Sequence, residues 1–272
     1  MANNKVIINN IRKELLQVFS IKLKHTREEI QQMDPANLDL KDPTQFAYYQ
    51  IYIQKKNYGN RSWGRNGTKE EQYQGLVVQY TILKLLGVNF SSNTNLNSEQ
   101  KFDNGIDFTM LNCNLDVKSR SSKYSMQYMY VHNIMQSQLA YATDFYILCN
   151  YNTKTNVVEV CGVVRKTDFA LYYKQFLHYR GEKLLNNSGK EITVQQNMYC
   201  LPQYCVFDIN SLLDLVNFVG VKSKNTAFCD KYLSFRLSMW TRMLTDRRLW
   251  EEFEEASKNL TSDDNNNILY YF

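Results

Sequence analysis

The stretch from Asp103 to Lys118, Asp-Asn-Gly-Ile-Asp-Phe-Thr-Met-Leu-Asn-Cys-Asn-Leu-Asp-Val-Lys, leaves the backbone few choices. Side chains alternate across a strand, so Ile106, Phe108 and Met110 share one face while Asp107 and Thr109 share the other. Asn112-Cys-Asn114 is a turn signal, and Leu115 to Ser119 is predicted to be the returning strand. Leu115 and Val117 then face the core, with Asp116 and Lys118 together on the opposite face. A hairpin closing near Asn112 and Cys113 sets Asp107 beside Lys118. Two carboxylates and an ammonium converge on one polar spot of an apolar hairpin.

Gly105-Ile-Asp107, eight residues, then Asp116-Val-Lys118 resembles the signature of the PD-(D/E)XK nuclease superfamily, with Ile106 in the place of the proline. A long helix before it and a helix-then-strand pattern after it have the same order. The resemblance covers roughly Gly67 to Asp208. It implies an α/β fold: a restriction-endonuclease-like core with a central mixed β-sheet flanked by helices, plus N-terminal and C-terminal helical additions. It also implies Asp107 and Asp116 as metal ligands, Lys118 as the catalytic lysine, Mg²⁺ as cofactor with Mn²⁺ able to substitute, and a 5′-phosphate product. The expected partner is DNA, double-stranded, with a homodimer as a further possibility.

The helix before the hairpin has its own start signal. Thr68 is the N-cap with Glu71 at N3, Tyr73, Leu76, Val77, Tyr80 and Leu83 form the apolar stripe, and Gly87 ends it. Nuclease relatives place an acid on this helix, aimed at the metal. Glu70 and Glu71 are the candidates, Glu70 as a third metal ligand beside Asp107 and Asp116. Glu71 is also explained by the capping box, and Gln79 stands where relatives often carry the acid.

Composition narrows the classes. A chain of 272 residues can bury a full core, and its +5 charge and pI near 8.7 suit a polyanionic partner. Twenty Tyr and 14 Phe against ten Gly and three Pro exclude disordered and collagen-like classes. The six Cys show no C-x-x-C pair and no His at zinc spacing, which suits reduced thiols of a cytoplasmic protein. No apolar run approaches the ~18 residues of a membrane span, so a soluble protein without a membrane partner is expected.

Three regions follow. Residues 1–57 are predicted to be helical, with an amphipathic helix over 5–20, a capping box at Thr26 and Glu29, and a helix begun by Asp42-Pro43. Residues 58–215 make the nuclease-like core. Residues 216–272 are predicted as a helical region closed by a short polar tether and an apolar tail. Within the core, 88–90 is expected as a first strand, 133–141 as a helix carrying Gln138, 144–150 and 157–164 as strands, and 204–208 as a last strand. Gln138-Leu-Ala-Tyr141 is one residue short of the Q-x-x-x-Y found in some relatives. Arg61 and Arg65 flank Trp63 in a polar loop, and Arg120 and Lys123 follow the hairpin. With Gln138, these four are the candidate contacts to nucleic acid, or else solvated loop residues.

Phosphodiester hydrolysis needs an activated water and compensation for charge on the pentavalent phosphate. Carboxylate oxygens suit a hard ion such as Mg²⁺, and Lys118 adds a positive charge beside it. The leading expectation is a metal-dependent DNA nuclease of restriction or recombination and repair type, endonucleolytic rather than exonucleolytic. The alternative is a catalytically weakened nuclease fold acting as a nucleic-acid-binding or structural module.

Overall fold

The computed structural model describes residues 19–53, 68–89, 106–110, 113–126, 131–171, 173–185, 191–203, 206 and 269–271. In chain order these form β1 (Phe19–Lys22), α1 (Arg27–Gln31), α2 (Pro43–Tyr48) running into a π-turn (Tyr49–Ile53), and α3 (Lys69–Leu85). Then come β2 (Phe108–Met110), β3 (Cys113–Ser122), β4 (Val131–Met135) with a 3-10 turn (Gln136–Ala140), β5 (Phe145–Asn152) and β6 (Val157–Arg165). The short α4 (Asp168–Leu171) leads to β7 (Leu177–His178), β8 (Lys183–Leu185), β9 (Glu191–Thr193) and β10 (Met198–Pro202), with β11 (Leu269–Tyr271) at the far end.

Local chemistry starts the helices where the sequence signals do. The Thr26 hydroxyl accepts from Glu29 N while the Glu29 carboxylate accepts from Thr26 N, and Thr68 and Glu71 repeat the arrangement at α3. Asp42 caps α2, with Pro43 at its first turn. α3 stops at Gly87, whose φ of 69° is open to glycine without a Cβ penalty.

The fold is mixed α/β. Its main sheet has the order β11-β1-β6-β5-β3-β2, with β3 parallel to β5 and β1 parallel to β11, the remaining pairs being antiparallel. A second sheet, β4-β10-β7, and the β8-β9 hairpin complete the strands. β5 is buried along its whole length, as a central strand covered on both faces must be. α3 crosses the face that carries Ser119, for a Cβ on Gly75 would lie 4.0 Å from Ser119 Oγ. Phe46 of α2 meets Tyr80 of α3 edge-on, ring centroids 4.7 Å apart. On the opposite face Tyr146 packs edge-on against Phe169, and Phe169 against Tyr199 of the second sheet.

Several expected elements differ. Phe19 and Ser20, expected at the end of a helix, pair with Val160 and Glu159 as part of β1; over so few residues helical and strand spacing coincide, and the long-range ladder decides. Residues 133–141 are β4 and a 3-10 turn, not a helix. The period-two signal was hidden there because one of its two inward residues, His132 with Ile134, is polar. Residues 88–89 form no strand, and β10 is a strand over Met198–Pro202; of the strand expected over 204–208 only Val206, at a bend, is among the described residues. The helices expected over 5–18 and from 209 onward, and the polar tether, lie outside the described residues, whereas the apolar tail supplies β11.

Two buried polar groups generate tests of the fold. Asn156, at φ 56°, ends the β5–β6 turn. Its side chain accepts from the Tyr151 hydroxyl at 2.8 Å and donates to Leu23 O at 3.2 Å and His25 O at 3.0 Å. Asn156→Gly keeps the backbone conformation and is expected to cost about 3 kcal/mol for the lost bonds. Asn156→Ala should cost about 1 kcal/mol more, because alanine disfavours positive φ. Urea unfolding of both variants checks this, and equal losses would contradict it.

His132 is the second. Its Nε2 donates to Gln203 Oε1 at 2.7 Å, and Gln203 Nε2 donates to Cys161 O at 2.7 Å. Burial first, and then the charge of Arg120, hold its pKa down at about 4, the bond to Gln203 opposing them. Unfolded, the ring titrates near ~6.5, so between these values the unfolded chain binds the extra proton. Stability is therefore full above pH ~6.5 and falls by roughly 3 kcal/mol as pH drops to about 4. His132→Gln is expected to flatten this part of the curve of unfolding free energy against pH; an unchanged slope would rule out the histidine as its source.

Candidate functional site

The hairpin forms, with a register different from the expected one. Phe108 pairs with Leu115, Thr109 with Asn114 and Met110 with Cys113, so it closes one position earlier than Asn112 and Cys113. Cys113 decides this: its thiol is fully buried beside Phe108 and Leu115 and acts as a small apolar residue of the strand, not as part of a turn. The register, carried on, sets position 107 against 116 instead of 118. The expected pairing of Asp107 with Lys118 across the hairpin is thereby corrected.

Asp107 lies just before β2. Its N–H donates to Leu115 O at 2.9 Å, so Asp107 and Phe108 both address Leu115, an offset like that of a β-bulge. Its Oδ2 accepts from Val117 N at 2.6 Å. The carboxylate thus takes the place of a ladder carbonyl where β2 has not yet begun. Beyond it, Tyr80 of α3 feels the Asp107 charge, which adds to burial in pushing the phenol up.

Asp116 and Lys118 project from the opposite face to Ser119. Asp116 is buried, at 3 % exposure, and its Oδ2 lies 2.6 Å from Lys118 Nζ. The Lys118 ammonium sits 6.0 Å from the centroid of the Tyr146 ring. Tyr146 neighbours Asp116 in the parallel ladder; burial and then the Asp116 charge push its phenol up, and its hydroxyl donates to Gln138 O at 3.1 Å. Asp116, Lys118 and Tyr146 thus come together on one face, while Asp107 stands at the sheet edge on the Val117 N–H, its charge felt by Tyr80 of α3.

Other candidates are placed elsewhere. Glu70 pairs with Arg27 and accepts from Gln74 Nε2 at 2.8 Å. The Arg27 guanidinium lies over the rings of Tyr52 and Tyr73, 5.5 and 5.6 Å from their centroids. Glu70 therefore joins α1, the π-turn and the start of α3; some ten residues, ~15 Å of helix axis, separate it from Tyr80 at the Asp107 end. Glu71 is held in its capping box, Oε2 2.7 Å from Thr68 N. Neither helix acid is brought to Asp107 and Asp116. Among the described residues no group of three His, Cys, Asp or Glu side chains is placed to hold a metal ion. Gln138 Oε1 accepts from Met135 N at 3.3 Å within its own turn. Arg120 is half-buried and its charge acts on His132, inside the fold, while Lys123 is exposed. Arg61 and Arg65 lie outside the described residues.

Sequence reasoning missed Asp144 and Tyr146. Asp144 Oδ2 accepts from Asn114 N at 2.8 Å and its N–H donates to Asn114 O at 2.8 Å, tying the start of β5 to the hairpin. Tyr146 had one available signal: a phenol inside an otherwise apolar run must find a polar neighbour when buried. Comparison with protein-family models, curated proteins and solved structures returned no match.

The position of Glu70 can be checked directly. Glu70→Gln is expected to lower stability by about 1 kcal/mol through the weakened, partly exposed pair with Arg27. It should leave the uptake of Mg²⁺ or Mn²⁺, followed by titration calorimetry, unchanged. A large loss of ion affinity in this variant would return Glu70 to the site.

Proposed function

We propose that the β2–β3 hairpin is the active site of a Mg²⁺-dependent deoxyribonuclease with a restriction-endonuclease-like core. The observation that carries this is the Asp116–Lys118 pair at 2.6 Å, with Asp107 held on the neighbouring Val117 N–H. The order of elements supports it: a long helix, then the hairpin, then a strand parallel to β3.

The donor set fits a hard divalent ion. Asp107 and Asp116 offer carboxylate oxygens, no thiolate or imidazole competes in the set, and an ion of this kind binds through one or two acids while keeping its waters. When bound, it supplies Lewis acidity and a more acidic water. The protein's own share is positional. Asp107 is fixed by a backbone N–H, so its carboxylate direction is set by the hairpin. Asp116 holds the Lys118 ammonium on the same face, and the Tyr146 ring sits beneath that charge. Lys118 can there orient a water or offset negative charge gathering on a phosphate. The second reading, a nuclease-like module that binds nucleic acid without cutting it, is favoured by one observation: Glu70 is engaged by Arg27 and supplies no third carboxylate.

Lys118→Ala is expected to bind double-stranded DNA within a few-fold of the unaltered protein in Ca²⁺, and to cleave at least ~100-fold more slowly in Mg²⁺. Asp116→Asn should abolish cleavage while keeping the shape of the buried side chain. Gel-shift titration and plasmid nicking on the same preparations, with circular dichroism to confirm folding, decide the matter. Cleavage that persists in excess chelator, or in Lys118→Ala, would place the chemistry elsewhere; binding without cleavage in any metal would leave the binding module.

A further inference from the structure

Tyr124 is 68 % exposed, more than any other large apolar side chain among the described residues. A single exposed aromatic is ordinary; this one is held at its root. Its N–H donates to Ser122 Oγ at 3.0 Å, and its carbonyl accepts from Asn150 Nδ2 at 3.2 Å. Asn150 is fixed in turn, its Nδ2 donating to Glu159 Oε2 at 2.6 Å, and the same oxygen accepts from Met126 N at 2.8 Å. Asn152 Nδ2 donates to Ser125 Oγ at 3.3 Å. The buried Glu159 therefore clamps the segment 124–126 to the sheet, while the ring stays in water. Little backbone freedom remains to be lost when a flat partner lies against that ring.

The described segments tied to this one carry lysines. Lys123 is exposed beside it, and Lys154 is exposed on the turn whose Thr153 N–H donates to Ser122 O at 2.8 Å. Lys22 and Lys24, at the end of β1, join the same turn through Leu23 N–Asn156 O at 3.0 Å. The nearby carboxylate of Glu28 acts on Tyr73 and Tyr151, on the α3 side of the sheet. A fixed π-face among lysines matches a base and its flanking phosphates: the base stacks, the lysines meet the backbone. Tyr124 lies just past the end of β3, and its carbonyl is held by Asn150, which pairs with Arg120 two residues along the strand from Lys118.

We infer that Tyr124, with Lys123 and Lys154, is a stacking platform for an unpaired nucleobase. This rests on the reading of the hairpin as a nuclease centre and narrows its substrate to DNA with a single-stranded segment, such as an overhang or a flap.

Fluorescence anisotropy on the whole chain in Ca²⁺, with a fluorescein-labelled oligothymidylate of about 15 nucleotides and a blunt duplex of the same length, tests it. Tyr124→Ala is expected to weaken oligothymidylate binding about tenfold and duplex binding less than about twofold. Tyr124→Trp should keep the affinity and show quenching of its indole fluorescence on binding. The inference is overturned if the wild type binds neither probe, if Tyr124→Ala binds oligothymidylate unchanged, if it loses both probes equally, or if the indole is not quenched. Heparin binding as tight as that of oligothymidylate would reduce the patch to charge alone and overturn it too. No readout requires cleavage: stacking without nicking sinks the nuclease reading alone, and nicking with no role for Tyr124 sinks this one.

Discussion

Two parallel strands cannot be joined by a tight turn, and the parallel pairing of β3 with β5 sets what the rest of the chain must do. The ladder runs from Leu115↔Phe145 to Ser122↔Asn152. To enter β5 at the correct end, the chain must travel back along the sheet between Lys123 and Asp144. It does so with β4 and a 3-10 turn in place of one long helix, and β4 recruits β10 and β7 into a second sheet. α3 already covers the Ser119 side. The crossover lies over the opposite face, which carries Asp116, Lys118 and Tyr146. The chemistry of the hairpin is thus bounded by an element that the strand pairing itself requires.

That crossover is tied down by polar groups inside the fold. Buried carboxylates and amides cost free energy unless hydrogen-bonded. Glu159 meets that requirement by accepting from Asn150 Nδ2 and from Met126 N, joining β6, β5 and the first residues after β3. His132 and Gln203 do the same between β4, the end of β10 and Cys161 O of β6. These directional bonds allow one placement of the crossover where apolar packing alone would tolerate several. They also give Tyr124 a fixed root while leaving its ring outside.

At the other side of β3 the sheet thins. β2 is three residues long and is the edge strand among the described residues. Where its ladder stops, the Asp107 carboxylate takes over the Val117 N–H. This places one carboxylate at the rim of the sheet and another on its face. Glu70 is held by Arg27 at the start of α3, apart from the hairpin that carries Asp107, Asp116 and Lys118.

The caps at Thr26, Asp42 and Thr68, the glycine stop at Gly87, the helix over 69–85, the β5–β6 pair and the Asp107, Asp116, Lys118 hairpin were legible in the sequence. Each depends on interactions within a few residues or on a period that repeats long enough to be read. The strand at Phe19, the strand at Val131 and the two-residue shift of the hairpin partner were not. Short segments fit helix and strand equally, and Cys113 looks like a turn residue until the core buries it. The partners of Glu70, Arg120 and Tyr146 come from strands and helices distant in sequence. Periodicity and capping by themselves determined which residue types stand on the hairpin and on which side of it. Only the tertiary structure decided which of them meet, because register and face coverage are set by long-range burial, which no local spacing contains.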